Sequence, residues 1–181
     1  MYEIAVYGGA FNPPHAGHAN VMIHASRQAR LTMVVPSYKH PYGKVMVDYD
    51  LRLQWLCLIA DNVRNQCGGE LSVSDIEREL FNQSPGPVYS FNLLTCLANT
   101  TGCAPKSIAL VVGQDVADAL PGFYLGPELL ETFSVIIAPE QIGVRSTALR
   151  KQLLEGAQLP THWIAPGLDP VNYDIYASGA V

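Results

Sequence analysis

Short apolar runs alternate along the chain with longer segments of helical character. The runs cover residues 3–8, 31–36, 71–75, 107–113 and 133–139. The first is ended by glycine and the second by proline, residues that stop a regular element. Short apolar runs bounded in this way predict strands that are buried on both faces of a parallel sheet.

The segments between the runs predict helices. Leu51, Trp55 and Ile59 recur at helical spacing in the longest of them. Further helices are predicted over residues 17–30, from Ser90 to about Thr100, from Ser146 to Glu155 and, as a short one, from Val171 to Ala177. Strands separated by helices of this size form βαβ units with right-handed crossovers. We therefore predict one α/β domain over residues 1–181, a three-layer α/β/α sandwich around a parallel sheet of five or slightly more strands.

Composition narrows the class of protein and of partner. Hydrophobic residues make up 49% of the chain and charged residues 15%, as in ordinary globular domains. A formal charge of −5 argues against a general binder of nucleic acid or of anionic membranes. No apolar stretch approaches a membrane span, the start lacks the basic leader of a signal peptide, and the four cysteines lack zinc-ligand spacing. We expect a cytoplasmic protein, with a homo-oligomer left open.

The stretch GGAFNPPHAGH, residues 8–18, joins the first strand to the first helix. Ligands of parallel sheets bind beyond the carboxyl ends of the strands, where this stretch lies. Its glycines let the backbone approach a ligand, and the helix start offers free N–H groups, so the loop favours phosphate. His15 and His18 fall on one face of the first helical turn. The stretch is neither G-x-G-x-x-G nor a P-loop, and two histidines without a carboxylate make a poor zinc site.

Two motifs carry a family resemblance. The pattern G-x-F-x-P-x-H-x-G-H resembles the signature of the nucleotidylyltransferase superfamily, although its short H-x-G-H core also resembles class I aminoacyl-tRNA synthetases. The late stretch RSTALR, residues 145–150, resembles the S-S-T-x-x-R motif of the same superfamily. We expect residues 8–18 and 145–150 to meet above the carboxyl ends of the strands. Length and the absence of a KMSKS-like loop disfavour a synthetase fragment.

The resemblance extends over nearly the whole chain to bacterial nicotinate or nicotinamide mononucleotide adenylyltransferases. It rests on VPSYKHPYGK at 35–44, VYSFNLL at 88–94, LVVGQD at 110–115 and the tail VNYDIYA. It implies a Rossmann-like nucleotidylyltransferase fold with strand order 3-2-1-4-5. The implied reaction joins ATP, carried with Mg²⁺, to nicotinate or nicotinamide mononucleotide and releases pyrophosphate.

The resemblance also implies roles for individual residues, with no metal ligands supplied by the chain. The implied catalytic residues are His15, His18 and Arg150. The implied ATP-binding residues are Gly8, Gly9, Ala10, Phe11, Lys44, Gly113, Asp115, Ser146 and Thr147. The implied mononucleotide-binding residues are Asn12, Arg52, Tyr89, Ser90, Phe123 and Tyr124, with one of the last two stacking on the acceptor ring.

Several positions depart from the family pattern. Ala10 and Asn12 stand where Thr and Asp are usual, Arg145 replaces the first serine of the late motif, and Phe123 and Tyr124 lie where tryptophan is common. Most of these departures fall where the acceptor is chosen. A sibling enzyme that uses phosphopantetheine or transfers a cytidylyl group, and a nucleotide-sensing module without turnover, therefore remain as alternatives.

Overall fold

The sheet has five parallel strands in the order β3-β2-β1-β4-β5. The computed structural model describes residues 1–41 and 43–179, so Tyr42 and the last two residues of the predicted domain lie outside the described residues. The strands are β1 Tyr2–Gly9, β2 Ala29–Pro36, β3 Glu70–Val73, β4 Ile108–Gly113 and β5 Ser134–Ala138. The predicted five parallel strands and their order are confirmed.

The described residues form seven α-helices, six between the strands and one after β5. They are α1 Ala16–Ser26, α2 Tyr49–Val63, α3 Ile76–Gln83, α4 Ser90–Thr101, α5 Gln114–Ala117, α6 Gly126–Thr132 and α7 Ser146–Leu154. The prediction missed α3, α5 and α6, and the segment predicted as a last helix forms a 3-10 helix at Pro170–Ser178. Helix α1 ends before the predicted residue 30, because Ala29 already pairs with Tyr2 in the sheet. No helix in the described ranges is both long and apolar enough to cross a membrane.

Side chains of the central strand β1 enter two separate hydrophobic cores. Ala5 and Tyr7 pack into the core formed with α1, α2, α7 and the last 3-10 helix. Ile4 and Val6 pack into the core formed with α4 and α6 on the opposite face. Alternate residues of a strand point to opposite faces, so burial of both sets requires a helix layer on each side. The predicted three-layer sandwich is confirmed.

The two sequence motifs meet at the carboxyl ends of the strands. Ser146 at the start of α7 donates a hydrogen bond from Oγ to the carbonyl oxygen of Pro13 at 2.9 Å. Arg150, one turn further along α7, donates to the carbonyl oxygen of Asn12. Both contacts join α7 to the loop between β1 and α1, as the prediction for residues 8–18 and 145–150 required.

Candidate active site

A cavity of about 480 Å³ opens beside this loop, at the carboxyl ends of β1 and β4. It runs from the segment that follows β2, past the start of α1, to the segments that follow β4 and β5. Of the predicted site residues, the cavity is lined by Gly8, Gly9, Ala10, Phe11, His15, His18, Tyr89, Ser90, Gly113, Asp115, Phe123 and Tyr124. Asn12, Lys44, Arg52, Ser146, Thr147 and Arg150 lie outside this lining.

The two histidines form a stacked pair at the start of α1. Their ring centroids are 3.7 Å apart with the planes inclined by 25°, and the His18 ring also contacts the Phe11 ring at 5.0 Å. The backbone N–H of His15 donates to Nδ1 of His18 at 3.0 Å. Because Nδ1 of His18 accepts this bond, the neutral ring carries its proton on Nε2. His18 is therefore held as a hydrogen-bond donor in the cavity wall.

Both histidines are neutral at physiological pH. Burial and, as a smaller cause, the positive charge of Arg145 lower the pKa of His15 to about 4. Burial also holds the pKa of His18 well below its usual value, with the charges of His15 and Arg145 as additional causes. The pair can therefore donate N–H groups to a phosphate without carrying a charge of its own.

Glycine at position 17 is required by the position of the His15 ring. A Cβ atom there would lie 3.1 Å from Nδ1 and Cε1 of that ring and 3.3 Å from Cγ1 of Val144. Those distances are tighter than ordinary van der Waals contact, so a larger residue would displace the histidine. His15 Nδ1 is buried and has no hydrogen-bond partner within the described residues.

Lys44 and Arg150 bring two positive charges to the outer side of the opening loop. Partial burial lowers the pKa of Lys44, and the nearby charge of Arg150 lowers it further. Neither cation has a carboxylate ion-pair partner among the residues that the structure describes. Two like charges held together without an acidic partner form a site that attracts anions.

Asp115 and Arg145 face each other across the end of the cavity next to α5. Nε of Arg145 lies 3.4 Å from Oδ2 of Asp115, and its Nη1 donates to Oε1 of Glu140 at 2.7 Å. A Cβ atom at Gly113 would lie 2.6 Å from Oδ1 of Asp115, so glycine leaves the room that this carboxylate occupies. Arg145, which in the sequence stands out only as a departure from a motif, lines the cavity.

Aromatic side chains form another part of the cavity wall. The rings of Tyr89 and Tyr124 stack with centroids 4.4 Å apart and planes inclined by 23°. Tyr124 is half-exposed, whereas Phe123 packs partly into the second hydrophobic core. Ser90 begins α4 beside Tyr89 and also lines the cavity. The aromatic part of the cavity wall therefore offers flat apolar surfaces next to the start of α4.

Arg52, which the sequence predicts as a mononucleotide-binding residue, is buried beneath the cavity wall. Its guanidinium is 1% exposed, and each of its nitrogens donates to a backbone carbonyl. Nε donates to Val47 at 2.9 Å, Nη1 to Ala10 at 2.8 Å and Nη2 to Ser37 at 3.0 Å. Arg52 therefore fastens three segments that surround the cavity, because a buried guanidinium requires partners for its donors.

Asn12 is buried like Arg52 and does not line the cavity. Its side chain is 1% exposed, and its Oδ1 accepts from the N–H of Val47 at 3.0 Å and from the hydroxyl of Tyr176 at 2.7 Å. Its Nδ2 donates to the carbonyl oxygen of Val45 at 3.3 Å. With these partners Asn12 ties the opening loop to residues 45–47 and to the last 3-10 helix.

Glu77 is a cavity residue that the sequence analysis missed. It is 5% exposed, lines the cavity and accepts from the N–H of Tyr38 through Oε2 at 2.9 Å. Burial raises the pKa of this carboxyl to about 7, against the opposing effects of the Tyr38 hydrogen bond and the charge of Arg52. Glu77 lies in the first turn of the unpredicted helix α3, so it had no place in the predicted site.

Comparison with known proteins identifies the family. A model of the cytidylyltransferase-like family matches residues 6–152. A probable nicotinate-nucleotide adenylyltransferase of Nostoc sp. is 32% identical over 90% of this chain and 77% of its own length. That of Myxococcus xanthus is 28% identical over 85% of this chain and 83% of its own length. A solved structure described as a nicotinate-nucleotide adenylyltransferase from Vibrio parahaemolyticus has a TM-score of 0.73 at 26% identity, covering 97% of this chain and 99% of its own.

These comparisons agree with the resemblance inferred from the two motifs. They do not favour an enzyme with a different acceptor or a sensing module, because the relatives share one activity in their names. The chain is an enzyme of the nucleotidyltransferase class, and it belongs to the nicotinate-nucleotide adenylyltransferase family.

Proposed function

We propose that this chain transfers the adenylyl group of ATP to nicotinate mononucleotide, using His15 and His18 as donors to the reacting phosphate. The observation that carries the proposal is the stacked pair of neutral histidines, fixed at a helix start in the wall of the cavity. The names of the relatives support nicotinate mononucleotide over its amide as the acceptor.

In the proposed reaction, a phosphate oxygen of the mononucleotide attacks the α-phosphorus of ATP in line. A new P–O bond forms to the mononucleotide, the bond between the α-phosphorus and the bridging oxygen breaks, and pyrophosphate leaves. Such transfers depend mainly on positioning and on stabilisation of charge. The described residues include no group of three or more His, Cys, Asp or Glu side chains able to hold a metal ion. We propose that Mg²⁺ enters as part of the MgATP substrate, held by phosphates and water.

The histidines would act at the α-phosphate. Since the His18 ring carries its proton on Nε2, it donates to an oxygen whose negative charge grows as the bond to pyrophosphate breaks. Donors fixed in advance stabilise such charge without the cost of reorganising solvent. Their neutral state fits this role, because the empty site then carries no buried positive charge.

The remaining phosphates would lie along the outer side of the opening loop. Lys44 and Arg150 supply charge there, and Ser146 and Thr147 lie at the start of α7, where free N–H groups favour anions. Arg150 already contacts the loop through the carbonyl oxygen of Asn12. The backbone of residues 8–11 would approach the nucleotide from the side of β1.

Two groups of cavity residues would bind the two substrates, one group for adenosine and the other for the acceptor. Gly113 and Asp115 suit the adenosine end, because a carboxylate can accept from both ribose hydroxyls. Tyr89, Ser90, Phe123 and Tyr124 suit the acceptor end, where an aromatic face attracts a cationic pyridinium ring. Arg52 and Asn12 would act indirectly, by fixing the backbone around both.

Pyrophosphate release tests the proposed function. Wild-type protein is incubated with MgATP and, separately, with nicotinate mononucleotide, nicotinamide mononucleotide and phosphopantetheine; CTP replaces ATP in a parallel set. We expect the highest kcat/KM with ATP and nicotinate mononucleotide. Faster release with phosphopantetheine or CTP would contradict the proposal, and tight binding of both substrates without release would identify a sensing module. Cytoplasmic location and homo-oligomerisation stay predictions.

A further inference from the structure

Arg145 is the one lysine or arginine among the described residues that line the cavity. Lys44 and Arg150 lie on the outer side of the opening loop, so they leave the cavity itself without a second such cation. Three carboxyl groups, those of Glu77, Asp115 and Glu140, line the same cavity. A triphosphate that entered it would therefore meet more acidic than basic side chains.

The charge of Arg145 reaches the proposed site of reaction. It lowers the pKa of both His15 and His18, which places the guanidinium within electrostatic range of the stacked pair. Arg145 also directly precedes α7, whose first turn holds two of the proposed phosphate-binding residues. Arg145 therefore lines the same cavity as the two histidines and adjoins the start of α7, where the phosphates are expected.

The present partners of Arg145 are weak ones. The side chains of Arg145 and Asp115 are each 48% exposed and that of Glu140 is 44% exposed, so water screens both ion pairs. Screened surface pairs contribute little to stability, and a ligand with several negative charges can displace them. A guanidinium also forms two parallel hydrogen bonds to phosphate oxygens more readily than other cationic side chains do.

We propose that Arg145 is a triphosphate-binding residue of the ATP site, held by Glu140 and Asp115 until ATP replaces both partners. On binding, phosphate oxygens accept from the Arg145 guanidinium, while the ribose hydroxyls of ATP donate to the Asp115 carboxylate that Arg145 has left. The proposal rests on the proposed function for the identity of the nucleotide. It assigns a role to a position at which the late motif departs from its family pattern.

Calorimetric titration with MgATP in the absence of any mononucleotide tests this assignment. We expect R145A to raise the Kd for MgATP about tenfold or more, and R145K to restore part of the loss because it keeps the charge. E140Q should lower the Kd about twofold to threefold, because it removes a carboxylate that competes with phosphate for Arg145. The matched control is R64A, which breaks the exposed Arg64–Asp61 pair remote from the cavity and should leave the Kd unchanged.

R145A is expected to raise the Kd for MgATP and E140Q to lower it. These opposite changes distinguish a residue that binds the phosphates from one that only joins two loops. If Arg145 only joined the segments after β4 and β5, both variants would weaken ATP binding or leave it unchanged, and either result would overturn the proposal. Steady-state kinetics add a second readout, in which R145A raises the KM for ATP and changes that for the mononucleotide less than twofold. If nicotinate mononucleotide gave no turnover while MgATP binding followed the expected pattern, the proposed function would fail and the role of Arg145 would stand.

Discussion

Replacement of Arg52 by alanine is expected to destabilise the whole fold rather than to weaken one substrate. The guanidinium joins the opening loop at Ala10, the end of β2 at Ser37 and the loop before α2 at Val47. It lies 5.5 Å from the ring centroid of Tyr49, with which it makes a cation–π contact. R52A removes all of these contacts and leaves three carbonyl oxygens without their donor.

The size of the effect follows from these contacts. Hydrogen bonds from a charged group contribute about 1.5 to 3 kcal/mol each, so three independent ones would contribute about 4 to 9 kcal/mol. Two effects reduce this sum. Burial lowers the pKa of Arg52, which shows that the buried charge has a desolvation cost that the variant avoids. Water can also reach the half-buried Ala10 and Ser37 and donate to their carbonyl oxygens in place of Arg52. We expect a net loss of about 3 to 5 kcal/mol in the free energy of unfolding. R52K should lose about 2 kcal/mol, because one ammonium cannot reach three separate carbonyls.

Urea unfolding of the purified variants gives the free energy, and steady-state kinetics give KM for both substrates. R30A is the matched control, because Arg30 makes one exposed ion pair with Glu3 at 3.6 Å and should change stability by less than about 0.5 kcal/mol. An unchanged unfolding midpoint for R52A, together with a raised KM for the mononucleotide alone, would refute the structural role. Arg52 would then be the direct ligand that the sequence predicted.

Three further predictions concern the cavity. H18A should lower turnover about a hundredfold or more, because it removes one fixed hydrogen-bond donor to the charge that develops on the phosphate. Circular dichroism should show an intact fold. The control H24A, outside the cavity, should keep wild-type turnover. Burial raises the pKa of Glu77 from 4.5 to about 7, so the folded state binds more protons between these values and wild type loses stability as pH rises. Between pH 5 and pH 8, the free energy of unfolding of E77Q, measured with urea, should rise relative to wild type by up to about 3 kcal/mol. Parallel plots of the free energy of unfolding against pH would contradict this. Alanine at one of Phe123 and Tyr124 should raise the KM for the mononucleotide about tenfold with much less change for ATP; equal changes for both substrates would place the acceptor elsewhere.

The sheet could be predicted because the signals for its strands are local. Each strand is a short apolar run, and the carboxyl ends of parallel strands share one edge of the sheet. The sequence therefore predicts that residues 8–18 and 145–150 lie close together. The strand order came from the family resemblance, not from the runs themselves. Helices α5 and α6 are four and seven residues long, too short for a periodic pattern to stand out.

The burial of two predicted site residues, Arg52 and Asn12, depends on groups that are distant in the sequence. Arg52 and Asn12 resemble ligands in a motif, but their partners in the structure are backbone groups of other segments and, for Asn12, the hydroxyl of Tyr176, and no local sequence pattern reveals these partners. Glu77 could have been found: Ile76 and Leu80 lie four apart with acidic residues in the first turn, which is typical of a helix start. The position of Arg145 in the cavity depends on how the segment after β5 turns, which sequence alone does not specify.

The contacts that fasten the opening loop also set an order of assembly during synthesis. Besides the partners of Asn12 at residues 45–47, Pro13 has a partner in Ser146, 133 residues later, and Asn12 has partners in Arg150 and Tyr176, 138 and 164 residues later. At ordinary elongation rates, the last of these residues leaves the ribosome on the order of 10 to 30 s after the loop does. The first two strands can pair within that interval. The loop that carries both histidines makes its contacts with α7 and the last 3-10 helix only afterwards. A nascent or prematurely released chain would then hold β1 paired with β2 without the contacts that complete the nucleotide site.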